Sequence, residues 1–125
     1  MAGAAEALSL AVAALGLALA AAGLAWAGWA AWTLARAPAP LTAAGPARVL
    51  VEHGPFRFGR HPMYLGGAIV LLGLSLALAS TAWIVAALLG FAVVDRWLVP
   101  GEEARLRRQY GGWYSDYAAS VPRWF

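Results

Sequence analysis

The sequence predicts an all-α integral membrane protein of about three transmembrane helices, followed by an amphipathic cytoplasmic C-terminal helix. Three observations predict it. Hydrophobic residues make up 62% of the 125 and charged residues 12%, where a soluble domain carries about 25% charged. Residues 7–35 hold no charge, and a second apolar block runs from Met63 to Val99. All nine arginines then fall on one side of the spans those blocks define, and by the positive-inside rule that side is cytoplasmic.

The first span, 7–35, is roughly 43 Å long as a helix, enough to cross a hydrocarbon core of roughly 30 Å. Ala and Leu dominate it, and both favour helix. A cleaved signal would have a shorter apolar core behind basic residues, whereas the charge upstream here is Glu6, so the segment reads as permanent. Gly16, Ala20, Gly23 and Ala27 form a row that would let another helix approach closely. Trp26, Trp29 and Trp32 suit an aromatic belt at the far end.

Residues 36–60 read as a cytoplasmic connector rich in proline and glycine, carrying Arg36, Arg48, Arg57 and Arg60. Long loops of this kind are often functional. The block from Met63 to Val99 would be roughly 55 Å as one helix, too long for a single crossing. Broken at Ser80-Thr81 it gives a second span at 61–80 and a third at 81–99, with the Ser-Thr pair capping the latter. Asp95 and Arg96 enter the last turns of the third span; so near the interface, where Arg96 can snorkel, they read as anchors. Pro100-Gly101 is expected to end that span. The whole chain, 1–125, reads as one membrane domain whose cytoplasmic tail is 100–125. The N-terminus is expected outside and the C-terminus in the cytoplasm, with the bacterial inner membrane the expected location.

Composition also excludes chemistry. Without cysteine there is no disulfide and no thiolate catalysis. His53, His61 and the scattered carboxylates lack metal-ligand spacing, so no metal site is expected. The net charge of +3 is accounted for by topology, and no nucleic-acid partner is expected.

Two polar clusters remain as the candidate site. In the first, Pro62 suits the opening position of a helix, where its missing N–H costs nothing. His61 then falls at the N-cap, and the N–H groups of Met63, Tyr64 and Leu65 are expected to be free. With the helix dipole they form an anion site, ringed by Arg60, His61 and Tyr64. The second cluster opens with Glu102-Glu103. On a helical wheel Glu103 shares the apolar stripe of Leu106, Tyr110, Trp113, Tyr114 and Tyr117, while Arg105, Arg108 and Asp116 lie opposite. A carboxylate on a buried face requires a cation or a donor, so Glu103 is expected to matter more than Glu102. Gly111-Gly112 is expected to interrupt this helix.

Gly54-Pro-Phe-Arg-Phe-Gly-Arg-His-Pro-Met-Tyr-Leu-Gly66, the hydrophobic hairpin, Glu102-Glu-Ala-Arg-Leu106, Tyr110-Gly-Gly-Trp-Tyr114-Ser-Asp-Tyr117 and Val121-Pro-Arg123 follow one another in an order that resembles a known family. It is similar to the C-terminal core of the isoprenylcysteine carboxyl methyltransferase and phospholipid methyltransferase superfamily, over roughly residues 50–125. The resemblance implies a membrane-embedded methyltransferase that uses S-adenosylmethionine, releases S-adenosylhomocysteine, and acts on a lipidic or small amphiphilic acceptor. It assigns the cofactor to Arg60, His61, Pro62, Met63, Tyr64, Leu65, Glu102 and Glu103, and the acceptor to Arg123, Tyr114 and Tyr117 as catalytic residues. Fuller members have further spans before the first, so a homo-oligomer is an expected way to complete the acceptor pocket. The related steroid and sterol reductases, which use a nicotinamide cofactor, are the alternative enzyme reading. Their corresponding segment has Asn before the tyrosine and an acidic residue soon after, where Met63 and Gly67 stand here. A small scaffold or transporter subunit that keeps the fold is the non-enzymatic alternative.

Overall fold

The computed structural model describes residues 2–37 and 49–125. The stretch 38–48 of the expected connector, with Arg48 and most of its prolines, lies outside them. The described residues form α1 (Ala2–Ala35), α2 (Pro62–Ala77), α3 (Thr81–Val93), α4 (Val99–Tyr110) and α5 (Gly112–Ser120). A 3-10 turn at Gly54–Arg57 precedes α2, and a π turn at Val94–Leu98 joins α3 to α4. Gly3–Ala35 and Thr81–Tyr110 are long and apolar enough to cross a membrane, and Pro62–Ala77 is a shorter apolar helix.

The small-residue row on α1 finds its partner in α2. A Cβ built on Gly16 would lie 2.5 Å from the backbone N of Ala77, and one on Gly23 would lie 2.6 Å from the carbonyl of Gly66. One on Gly66 would meet Ala27, and one on Gly73 would meet the backbone of Gly16 and Ala20. Lipid tails are as apolar as leucine, so membrane helices gain little by hiding apolar surface from each other. Backbone-to-backbone approach supplies dispersion contact instead, and only glycine and alanine permit it. Trp26 sits near this contact, its ring 5.9 Å from that of Phe58, while Trp29 and Trp32 are exposed.

The α2–α3 turn lies where the Ser-Thr pair places it. Ser80 accepts a 3.2 Å hydrogen bond from the Trp83 N–H and so caps α3. Ala79 enters the left-handed region at φ 51°, which a Cβ disfavours.

The expected break at Pro100-Gly101 does not occur: the helix runs on from Thr81 to Tyr110. The π turn explains why. The Val99 N–H pairs with the Val94 carbonyl, five residues back. This wider turn makes room for the proline ring within a continuous helix, and the acceptor that Pro100 leaves without a backbone donor is the Asp95 carbonyl, which Arg123 takes up. The break falls at Gly111, at φ 60° and ψ −130°. It re-aims α5, so Tyr114 and Tyr117 are buried as the wheel predicts while Trp113 is exposed. A wheel carried through a break loses its phase. Leu50, Tyr114 and Tyr117 form the core of the polar end, with Phe56, Leu106, Tyr110 and Val121 around them.

Candidate functional site

The site assembles where α2 begins. His61 is the N-cap and Pro62 the first helical residue, and no side chain caps the end. The Leu65 N–H, expected to be free, instead donates to the His61 carbonyl at 3.1 Å. The N-cap carbonyl is already part of the helical ladder, so the open donors are reduced to those of Met63 and Tyr64. The His61 imidazole is buried, and burial lowers its pKa from 6.5, the nearby Glu102 and Glu103 only partly opposing this. Its Nε2 stands 3.4 Å from Glu103 Oε1 without hydrogen-bond alignment and has no partner among the described residues.

Glu103 is buried and draws in the cations its position on the wheel calls for. Arg60 Nη1 donates to Oε2 at 3.0 Å, and Arg123 Nε donates to Oε1 at 2.8 Å. Arg107 adds a looser pairing at 3.9 Å. Burial pushes the Glu103 carboxyl up, yet Arg123 and Arg60 outweigh it and hold the group below its ordinary value. Arg60 also donates to the Tyr114 hydroxyl at 3.2 Å, and its buried Nε has no partner. Both Glu103 oxygens are therefore engaged by the chain's own arginines.

Glu102 is placed differently. One of its oxygens accepts a 2.9 Å hydrogen bond from the Tyr64 hydroxyl. Its side chain lines a cavity of about 520 Å³ shared with Arg60, Phe56, Leu106 and Tyr110. A second cavity, of about 590 Å³, lies among α1, α2 and α3 and is lined almost wholly by apolar groups, among them Met63, Tyr64, Leu71, Gly90 and Phe91. Tyr64 thus lines the apolar cavity while its hydroxyl reaches a wall of the polar one. Each volume falls in the range of small-molecule sites, about 300–1,000 Å³.

Tyr114 and Tyr117 are brought to the site but line neither cavity. Tyr117 donates to the Phe56 carbonyl at 2.7 Å, fixing the 3-10 turn, and burial drives its pKa well up. Arg123 is a third exposed and bridges Glu103 to Asp95. Two residues escaped the sequence reading: Asp95, read as an anchor, and Trp124, to which it assigned no role. A carboxylate near the end of an apolar helix was the available signal.

The donor set suits a zwitterion attached to a flat ring system. The start of α2 and Arg60 offer donors for an anionic group, Glu102 offers an acceptor for a cationic one, and Phe56 and Tyr110 offer aromatic faces. The unpartnered Nε atom of Arg60 and Nε2 of His61 mark hydrogen-bonding capacity that the chain itself leaves unused.

A family model described as phospholipid methyltransferase matches residues 11–112. Among solved structures, the fold is similar to a eukaryotic intramembrane Ras methyltransferase, isoprenylcysteine carboxyl methyltransferase. The TM-score is 0.78 at 24% identity over 91% of this chain, which spans 42% of that protein. No curated protein sequence matches the chain.

Proposed function

The chain belongs to the phospholipid methyltransferase family, and from that premise we propose that it transfers a methyl group from S-adenosylmethionine to a lipidic or small amphiphilic acceptor within the bilayer. One observation carries the reading: Tyr64 and Glu102 join a cavity with charged walls to an apolar one. A charged donor and a lipid-dissolved acceptor need such a junction.

S-adenosylmethionine supplies a sulfonium methyl that is displaced in line, leaving a neutral thioether. The chain's residues do the rest by binding and exclusion. The N–H groups of Met63 and Tyr64, at the positive end of α2, hold the carboxylate with Arg60. Glu102 holds the ammonium, and Pro62 and Leu65 fix the turn that aims these groups. Glu103 acts from behind, keeping Arg60 and Arg123 in place. Tyr114 and Tyr117 lock Arg60 and the 3-10 turn respectively. Arg123 is the cation available to an anionic acceptor headgroup. The sulfonium charge passes to a neutral acceptor or is cancelled by an anionic one; in the latter case a site poor in water lowers the barrier, and in both orientation supplies much of the rate.

The same reading puts the site on the cytoplasmic side, with α1, α2 and the helix from Thr81 as three spans and the N-terminus outside. Calorimetric titration of purified protein in detergent with S-adenosylhomocysteine tests the cofactor assignment. Glu102→Gln should weaken binding by about tenfold or more, from a charge-assisted bond worth about 1.5–3 kcal/mol, and His61→Ala should weaken it through loss of the unpartnered Nε2. Folded wild-type protein that binds none would sink the proposal. Transfer of radiolabelled methyl into the lipid-soluble fraction tests the acceptor class.

A further inference from the structure

Residues 121–125 run as a strap across the candidate site. The Arg60 N–H donates to the carbonyls of Pro122 and Arg123 at 3.0 and 3.2 Å. The Arg123 side chain binds Glu103. The Trp124 ring lies between Phe91, at 4.7 Å between centroids, and His61, at 5.9 Å. Phe91 in turn lines the apolar cavity. Even the Trp124 carbonyl is seated so closely on Gly59 that any Cβ there would overlap it.

One residue outside the site pins this strap twice. Asp95 Oδ1 accepts from Arg123 Nη1 at 3.1 Å and from Trp124 Nε1 at 2.9 Å. The Asp95 backbone carbonyl accepts from Arg123 Nη1 as well, at 3.3 Å. That carbonyl is free because of the π turn. In an α register it would meet the Val99 N–H, which here is given to Val94. In a π register its donor would be residue 100, a proline with no N–H. The backbone distortion and the carboxylate thus present two acceptors to the same strap. A carboxylate near the end of an apolar helix is costly unless it has such a task.

We propose that Asp95 is a positioning residue of this site. Through Arg123 and Trp124 it fixes the strap, and through the Trp124 ring it fixes the imidazole of His61. Glu103 needs Arg123 for its charge; Asp95 sets where that arginine and its neighbouring indole stand.

The chain's two histidines make the test direct. In a His53→Gln background the imidazole signals of the detergent-solubilised protein come from His61 alone. Asp95→Leu should shift the carbon-bound ring protons of His61, because the Trp124 ring moves away. Asp95→Asn keeps an acceptor oxygen and should leave them near their original positions. Unmoved His61 signals in folded Asp95→Leu overturn the proposal. Should that variant not fold, Trp124→Phe removes the N–H that Asp95 holds and must also move the His61 signals; unchanged signals there overturn it equally.

A second arm rests on the proposed cofactor. Asp95→Leu should weaken S-adenosylhomocysteine binding by about tenfold, and by less than about twofold in a His61→Ala background, since residues acting through one another are not additive. Full loss in both backgrounds overturns the proposal. If wild-type protein binds no S-adenosylhomocysteine but the His61 signals behave as stated, the cofactor assignment falls and the role of Asp95 stands.

Discussion

Helices α2 and α3 are both apolar throughout, yet they are held in place by different means. α2 buries Gly66, Gly73 and Ser75 against its surroundings. α3 buries no residue along its length. It is fixed at its ends instead, by the Ser80 cap and by Asp95 in the π turn and Glu103 beyond it, bonded to Arg123 and Arg60. In a bilayer, apolar surface alone does not tell one helix to pack on another. Either the backbones approach closely through small residues, or polar groups meet where water is scarce. This protein uses the first device between α1 and α2 and the second at the polar end, where its candidate site lies.

Removing the polar device should have the largest effect. Glu103→Leu would strand Arg60 and Arg123, and breaking a buried pair from one side costs about 3–5 kcal/mol. Because Arg123 is a third exposed, the lower end, about 3 kcal/mol, is expected in denaturant titration of detergent-solubilised protein. A loss below about 1 kcal/mol would mean that α4 is held by something else. The small-residue device ranks next. Gly73→Ala puts a Cβ 2.5 Å from the Ala20 backbone N and should cost about 2 kcal/mol, the range for overpacking. Gly90→Ala on α3 meets nothing within 4 Å and should be neutral or stabilising by up to about 1 kcal/mol. Equal effects from the two alanines would erase the distinction between α2 and α3.

A gain is expected at the turn between them. Ala79→Gly relieves a left-handed residue and should raise stability by about 1 kcal/mol, read as a higher melting temperature. The smallest effect is the pH slope. His61 and Glu103 both have pKa values lowered by folding, so the folded protein binds fewer protons than the unfolded chain and acid opposes folding. The stability associated with His61 should decline as pH falls below 6.5, and that of Glu103 below 4.5 and through its lower folded value. Stability that rises as pH falls from 7 to 5 would show that His61 gains a proton on folding, contrary to its burial. His61→Gln should flatten the upper part of the slope.

The pattern of small residues on α1 announced a close helix contact because the cause is local: a row of missing side chains is visible in the sequence. Its partner, the row through Gly66 and Gly73, was present in the same string but not paired with it. The burial of Glu103 was legible for a similar reason, since Leu106 and Tyr110 lie on its side of an unbroken helix. Trp113 was not, because the phase is lost at Gly111. Pro100 misled in the opposite direction, since its cost as a helix breaker is absorbed by a π turn that no residue pattern advertised.

Composition, apolar run length and the one-sided arginines determined the membrane class and its helical architecture, because backbone groups in lipid must be paired within the segment. The Arg-His-Pro-Met-Tyr turn and the two glutamates marked segments whose polar side chains the fold brings together. Which partners each carboxylate takes was decided by tertiary structure alone. Glu102 and Glu103 are neighbours in sequence and both follow an apolar helix. Only the folding of residues 60 and 123 onto the same spot hands Glu103 to these two arginines, while Glu102 meets Tyr64, the cavity and, loosely at 4.0 Å, Arg105. Ion pairs spanning 43 and 20 residues depend on how three separate segments converge, and no local pattern of charges encodes that convergence.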